Sequence, residues 1–135
     1  MIFFDTNILL YSISSHPAEA VKRDIAIALL DRSDGALSVQ VLGEFYTQAT
    51  RPTRPDPLPH DLAASFISTW SRFPVQDLTL SIVKAALEMR AMHRFSYWDC
   101  AIIAAARALG CRELYTEDMS HRREIEGVLI VNPFR

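Results

Sequence analysis

Five short apolar or β-branched runs, separated by stretches with helical spacing, constrain this chain more than any other feature. Ile2-Phe3-Phe4, residues 36–39, Pro74-Val75-Gln76, residues 113–116 and residues 128–131 read as strands. Residues 7–13 form a short helix after the first of them. Pro17, at a first helical position, opens a longer one with Val21, Ile25, Ala28 and Leu29 as its apolar stripe. Gly35 ends that segment. Residues 40–50 place Val41, Leu42, Phe45, Tyr46 and Ala49 on one helical face. Residues 61–71 carry Leu62, Phe66, Ile67 and Trp70, and residues 79–93 carry Ile82, Val83, Ala86 and Met89. Ser96-Tyr97-Trp98-Asp99 opens a further helix in the manner of a capping box. The stretch that follows, residues 101–109, is almost wholly apolar, which marks a buried helix. Residues 51–60 contain four prolines and form a loop. Strands alternating with helices predict an α/β fold: a three-layer α/β/α sandwich around a mainly parallel sheet of about five short strands. Residues 1–135 are expected to form a single domain.

Composition narrows the functional classes. Half the residues are hydrophobic, enough to build a core without disulfides or structural metals. No apolar run approaches the roughly 20 residues that span a bilayer, and the N-terminus lacks the pattern of a signal peptide, so the expected location is the cytoplasm, away from membranes. Cys100 and Cys111 match no zinc or redox spacing and are expected to be buried thiols. The histidines, at positions 16, 60, 93 and 121, are scattered and read as loop or surface residues. A net charge of −2 does not mark a nucleic-acid binder, although twelve of the fourteen basic residues are arginine, whose planar fork suits phosphate.

The informative residues are acids in places where a fold would prefer something else. Asp5 follows three apolar residues at the carboxyl end of the first strand, the edge at which open α/β sheets bind ligands. Asp118 stands just past the end of the fourth strand. Asp99 opens the most apolar helix, and Glu44 borders the apolar face of its own. Each has a purely structural explanation, as a helix cap, an Asx turn or a solvated helix residue. Gathered at one sheet edge, they would repel one another unless a hard cation such as Mg²⁺ or Mn²⁺ offset their charge. Such a site suits hydrolysis of phosphodiesters. No serine or cysteine nucleophile with a histidine partner is evident, nor any glycine-rich nucleotide motif. A metal-dependent phosphatase working through an aspartyl-phosphate fits less well, because Asp5-Thr6-Asn7 lacks the second aspartate.

In order along nearly the whole chain, Ile2 to Leu9, Leu42-Gly43-Glu44-Phe45, Ser96-Tyr97-Trp98-Asp99, Leu114 to Met119 and Val131-Asn132-Pro133-Phe134 resemble the PIN-domain ribonucleases. Within that family they are similar to the VapC-type toxins of toxin–antitoxin pairs. The resemblance implies Mg²⁺ or Mn²⁺ held by Asp5, Glu44, Asp99 and Asp118, with Asn7 and Thr116 supporting them and Glu117 as a substitute or extra ligand. It also implies endonucleolytic cleavage of RNA, a homodimer, and inhibition by an antitoxin protein that obstructs the acidic site. His121-Arg122-Arg123 stands where many relatives carry a glycine. Arg51, Arg54, Arg122 and Arg123 are candidates to hold RNA phosphates. Leu9-Leu10-Tyr11, Trp70 and Trp98 are candidates for a dimer face, with core packing as the alternative. A PIN-like binding module without catalysis is the remaining alternative, against which the complete set of acids argues.

Overall fold

A computed structural model describes residues 1–135. The elements run β1 (Ile2–Phe4), α1 (Thr6–Ser12), a single 3-10 turn (Pro17–Glu19), α2 (Ala20–Leu30), β2 (Gly35–Ser38), α3 (Val39–Ala49), α4 (His60–Trp70) and β3 (Val75–Gln76). They continue with α5 (Leu80–Met92), α6 (Tyr97–Ala108), β4 (Glu113–Tyr115), β5 (Glu124–Ile125) and β6 (Val128–Val131). The sheet order is β3-β2-β1-β4-β6-β5, and every pairing is parallel except that of β5 with β6.

This order reverses direction at β1. The chain moves outward from β1 to β2 to β3, then crosses back to place β4 on the other side of β1. Right-handed crossovers therefore put α1 to α4 on one face of the sheet and α5 and α6 on the other. The helix contacts agree: α1 packs on α2 and α3, α3 on α4, and α5 on α6. The connections that leave the carboxyl ends of β1 and β4 part at the reversal, the usual ligand position in open α/β sheets.

The core is one cluster of buried side chains on both faces of the sheet, including Phe3, Phe4, Ile8, Leu9, Phe45 and Leu114. As its composition predicts, α6 is buried, with residues 100–106 all inaccessible. Its alanines let α6 lie close against both α5 and the sheet. Helix starts are fixed by Ser38, Thr79 and Ser96, whose hydroxyls accept from the backbone N–H of Val41, Ile82 and Asp99. Cys100 and Cys111 are buried free thiols.

Four local expectations change. The sheet has six strands, not about five, because Glu124–Ile125 folds back on β6 through a two-residue turn. Glu126 and Gly127 both have positive φ there, 48° and 88°, the conformation a tight hairpin requires. Pro17 opens a 3-10 turn rather than the α-helix itself. The buried residues of α2 are Ala26 and Leu30, while Val21 is 73 % exposed. Gly35 does not end the preceding segment but begins β2, and Val39 belongs to α3, which Ser38 caps.

Gly35 is required by close approach. A Cβ at that position would stand 2.6 Å from the Phe4 ring and 2.9 Å from the Phe73 ring. Those rings pack edge to face at 6.2 Å, and both are buried in the core. Gly35→Ala should therefore lower stability by about 1–3 kcal/mol, the usual range for overpacking. A downward shift of the urea midpoint with unchanged slope is the expected reading.

Candidate metal centre

The crevice at the sheet reversal is polar and acidic. Asp5, Glu44, Asp99 and Asp118 line a single cavity of about 160 Å³, together with Thr6, Asn7 and Trp98. Four different parts of the fold deliver the acids: the end of β1, the second turn of α3, the first turn of α6, and the segment after β4.

Asp5 is the most constrained. It is 5 % exposed, and its backbone N–H donates to the Tyr115 carbonyl at 3.0 Å, which holds the end of β1 against β4. Its Oδ1 accepts the Thr6 N–H at 2.7 Å, and its Oδ2 accepts the Thr116 hydroxyl at 2.8 Å. Burial pushes its carboxyl up from 3.8 to about 6 despite these two bonds, and the charges of Glu44 and Asp118 add to the rise. Burial also raises Asp99; the Ser96 hydroxyl partly offsets it, and the charges of Asp118 and Glu44 reinforce it.

Neutral side chains hold the other two acids. Glu44 accepts from the Thr6 hydroxyl at 2.7 Å and from the Gln40 amide at 2.9 Å. The Asn7 amide donates to Thr116 Oγ1 at 3.0 Å and to Asp118 Oδ2 at 3.1 Å, and its carbonyl accepts the Glu117 N–H. Thr116 is fully buried, and its Oγ1 also accepts the Asp118 N–H at 3.1 Å. No basic side chain lines the cavity. The excess negative charge has no cationic partner in the protein, and the donor set is all oxygen. A hard divalent cation suits both properties. No three acidic side chains close into a ready-made cage.

Glu117 lies outside this cavity. It pairs with the Lys22 ammonium and accepts the Tyr11 hydroxyl. Burial opposes its ionisation, but the bonds from Lys22 and Tyr11 outweigh that and hold its carboxyl below the usual range. Tyr11 is further fixed by the Phe134 ring at 5.0 Å. Thr6, Gln40, Tyr11 and Lys22 thus support the site without having been singled out for it in the sequence. The Gln40–Glu44 spacing of four on one helix was a visible signal, whereas Lys22–Glu117 spans 95 positions and had none. Of the aromatic and apolar residues considered for a dimer face, Leu9 and Trp70 are core, while Trp98 is 51 % exposed.

An open α/β sheet with an acidic crevice at its reversal point defines the class. The sequence pattern of the PIN domain matches residues 2–123, and the chain belongs to that family. None of the curated proteins matches it in sequence. Among solved structures it is similar to a toxin–antitoxin complex from Klebsiella pneumoniae, at TM-score 0.73 and 21% identity over 98% of both chains. It is also similar to a sarcin–ricin-loop-cleaving VapC toxin of Mycobacterium tuberculosis, at 0.69 and 22% identity over 87% of this chain and 92% of that one. A third is FitAcB from Neisseria gonorrhoeae, at 0.71 and 16% identity over 99% of both. At such identities these likenesses establish the fold. No helix is long and apolar enough to cross a membrane.

The raised carboxyl of Asp5 sets a pH dependence. The folded state holds this proton more tightly than the unfolded chain does. Without divalent ions, its contribution is therefore full below 3.8 and falls away as pH rises through about 6. Its loss should cost about 1–3 kcal/mol. Urea midpoints of wild type and Asp5→Asn, measured in chelator across this range, should diverge in favour of the variant as pH rises. Parallel curves would contradict a buried carboxylate at this position.

Proposed function

We propose that this chain is an Mg²⁺- or Mn²⁺-dependent endoribonuclease and the toxin of a toxin–antitoxin pair, acting on RNA in the cytoplasm. The observation that carries the reading is the convergence of Asp5, Glu44, Asp99 and Asp118 on one cavity that has no basic side chain. Membership of the PIN-domain family and the likeness to toxin–antitoxin complexes support it.

In this reading Asp5, Asp99 and Asp118 are metal ligands, and Glu44 binds metal or orients a water. A bound divalent ion supplies a water of lowered pKa and offsets charge on the phosphate. The chain's own residues set the geometry. Thr6 and Gln40 fix both oxygens of Glu44, so that it keeps one orientation. Asn7 and Thr116 tie Asp118 to Asp5, so that the strand ends present their carboxylates as a unit. Removing such supporting bonds typically costs about 10–100-fold in metal affinity or activity. Of the arginines considered from sequence, Arg54 lines a groove of about 240 Å³ that shares Asn7, Leu10 and Asp118 with the acidic cavity. It forms no ion pair and is the favoured phosphate contact. Arg123 instead lies over the Phe95 ring at 5.1 Å.

An antitoxin partner fits the same charge, since a guanidinium delivered into the acidic cavity would compete with the metal. Leu80 and Leu87, exposed and two turns apart on α5, give the proposed homodimer an apolar face. Sedimentation should show a dimer, and a monomer at all concentrations removes that part of the reading.

Purified protein should cleave single-stranded RNA with Mg²⁺ or Mn²⁺ and stop on chelation. Asp5→Asn should lose about 100-fold or more, as expected when several kcal/mol of charge stabilisation is removed. Equal cleavage by both proteins would assign the activity to a contaminant. Calorimetry should show Mn²⁺ binding to wild type and a loss of it in Asp99→Asn.

A further inference from the structure

Trp98 is not among the side chains proposed to hold a metal, yet it stands beside them. Trp98 is 51 % exposed although it adjoins Asp99 in the first turn of α6. The other tryptophan, Trp70, is 5 % exposed and packs against Phe45 and Phe66. Trp98 borders the acidic cavity on one side. On the other, with Val39, Leu78, Gly43, Gln40 and Glu44, it lines an open groove of about 430 Å³.

We propose that this groove receives an unstacked base of single-stranded RNA, with the Trp98 indole as its stacking platform. The proposal rests on the ribonuclease reading and adds a specificity-determining residue to it. Continuity is the first argument. Glu44 and Trp98 line both concavities, so a nucleotide whose phosphate lies at the acids has its base within reach of the groove. Chemistry is the second. The groove holds apolar side chains, an amide, a hydroxyl and one carboxylate, with no lysine, arginine or histidine. It repels phosphate and suits an uncharged heterocycle, which proteins commonly stack on aromatic rings.

Polar placement and helix composition add to this. The Gln40 amide nitrogen is committed to Glu44 and to the Trp98 carbonyl, at 2.9 and 3.3 Å. Those bonds clamp α3 to the start of α6 and leave the Gln40 Oε1 to accept from a base amine. Gly43 lies inside α3, where glycine costs about 1 kcal/mol relative to alanine. A Cβ there would meet nothing within 4 Å, so protein packing does not demand glycine. Its effect is to leave the groove open.

The test uses Trp70→Phe, in which Trp98 is the sole tryptophan, combined with Asp5→Asn so that RNA is not consumed. A short fluorescein-labelled single-stranded RNA of mixed sequence is the probe. Trp98 emission should be quenched over the same concentrations at which anisotropy rises, and an abasic probe should bind with little quenching. In the cleaving enzyme, Trp98→Ala should raise KM about tenfold or more, with kcat little changed and recovery in Trp98→Phe. Gly43→Leu, which fills the groove, should do the same while preserving the fold. Binding and cleavage without a change at Trp98 would overturn this proposal and leave the ribonuclease reading intact. Failure to bind or cleave RNA at all would overturn both. Trp98 emission that responds to protein concentration but not to RNA would assign the groove to a second copy of the chain and overturn it as well.

Discussion

A carboxylate forced into the protein interior at the end of β1 is the constraint on which the rest of the site depends. Asp5 follows three buried apolar residues and is itself 5 % exposed. An ionised group there is costly without compensation. The protein supplies a backbone N–H from the first turn of α1 and a hydroxyl from the end of β4. These bonds only partly offset burial, because the carboxyl still sits near 6. In the proposed reading a divalent cation would stabilise the charge that the fold leaves uncompensated. The Thr116 hydroxyl also ties the end of β1 to the segment carrying Asp118, so the electrostatic device is also a structural one.

The sheet makes that placement possible. Because the chain reverses at β1, the ends of β1 and β4 are neighbours without a helix crossing between them. The N-termini of α3 and α6 approach the same edge from opposite faces, linked by Gln40 to the Trp98 carbonyl. Their starts are set by Ser38 and Ser96, so two helix caps decide where Glu44 and Asp99 stand. Stability and site geometry are thus settled by the same few hydroxyls.

Much of this was legible in the sequence. Short apolar runs between helical periodicities gave the α/β class and the buried α6, because both signals depend on local spacing alone. The acids stood out because an ionisable residue directly after a buried strand conflicts with local preference, and such conflicts concentrate at functional sites. The hairpin of β5 was hidden, since two residues carry no period and its turn uses Glu126 at positive φ, an unusual choice. The orientation of α2 does not follow from its spacing: Val21, Ile25, Ala28 and Leu29 share a helical stripe that the fold rotates partly outward, burying Ala26 and Leu30 instead. Trp98 was similarly ambiguous, as an aromatic beside a buried helix reads equally well as core.

Glu117 and Asp118 show where sequence reasoning stops and contact geometry takes over. They are adjacent acids after the same strand, and either can be written into a metal site from pattern alone. Lys22, on α2, and Tyr11, on α1, engage Glu117 and keep it out of the acidic cavity. Both acids line the groove that carries Arg54, but only Asp118, which accepts from the Asn7 amide, also reaches the acidic cavity. Neither partner is near Glu117 in sequence, and neither has chemical significance until the chain has folded. The assignment of one acid to structure and the next to the cavity is therefore made by α1 and α2, which contribute none of the four acids.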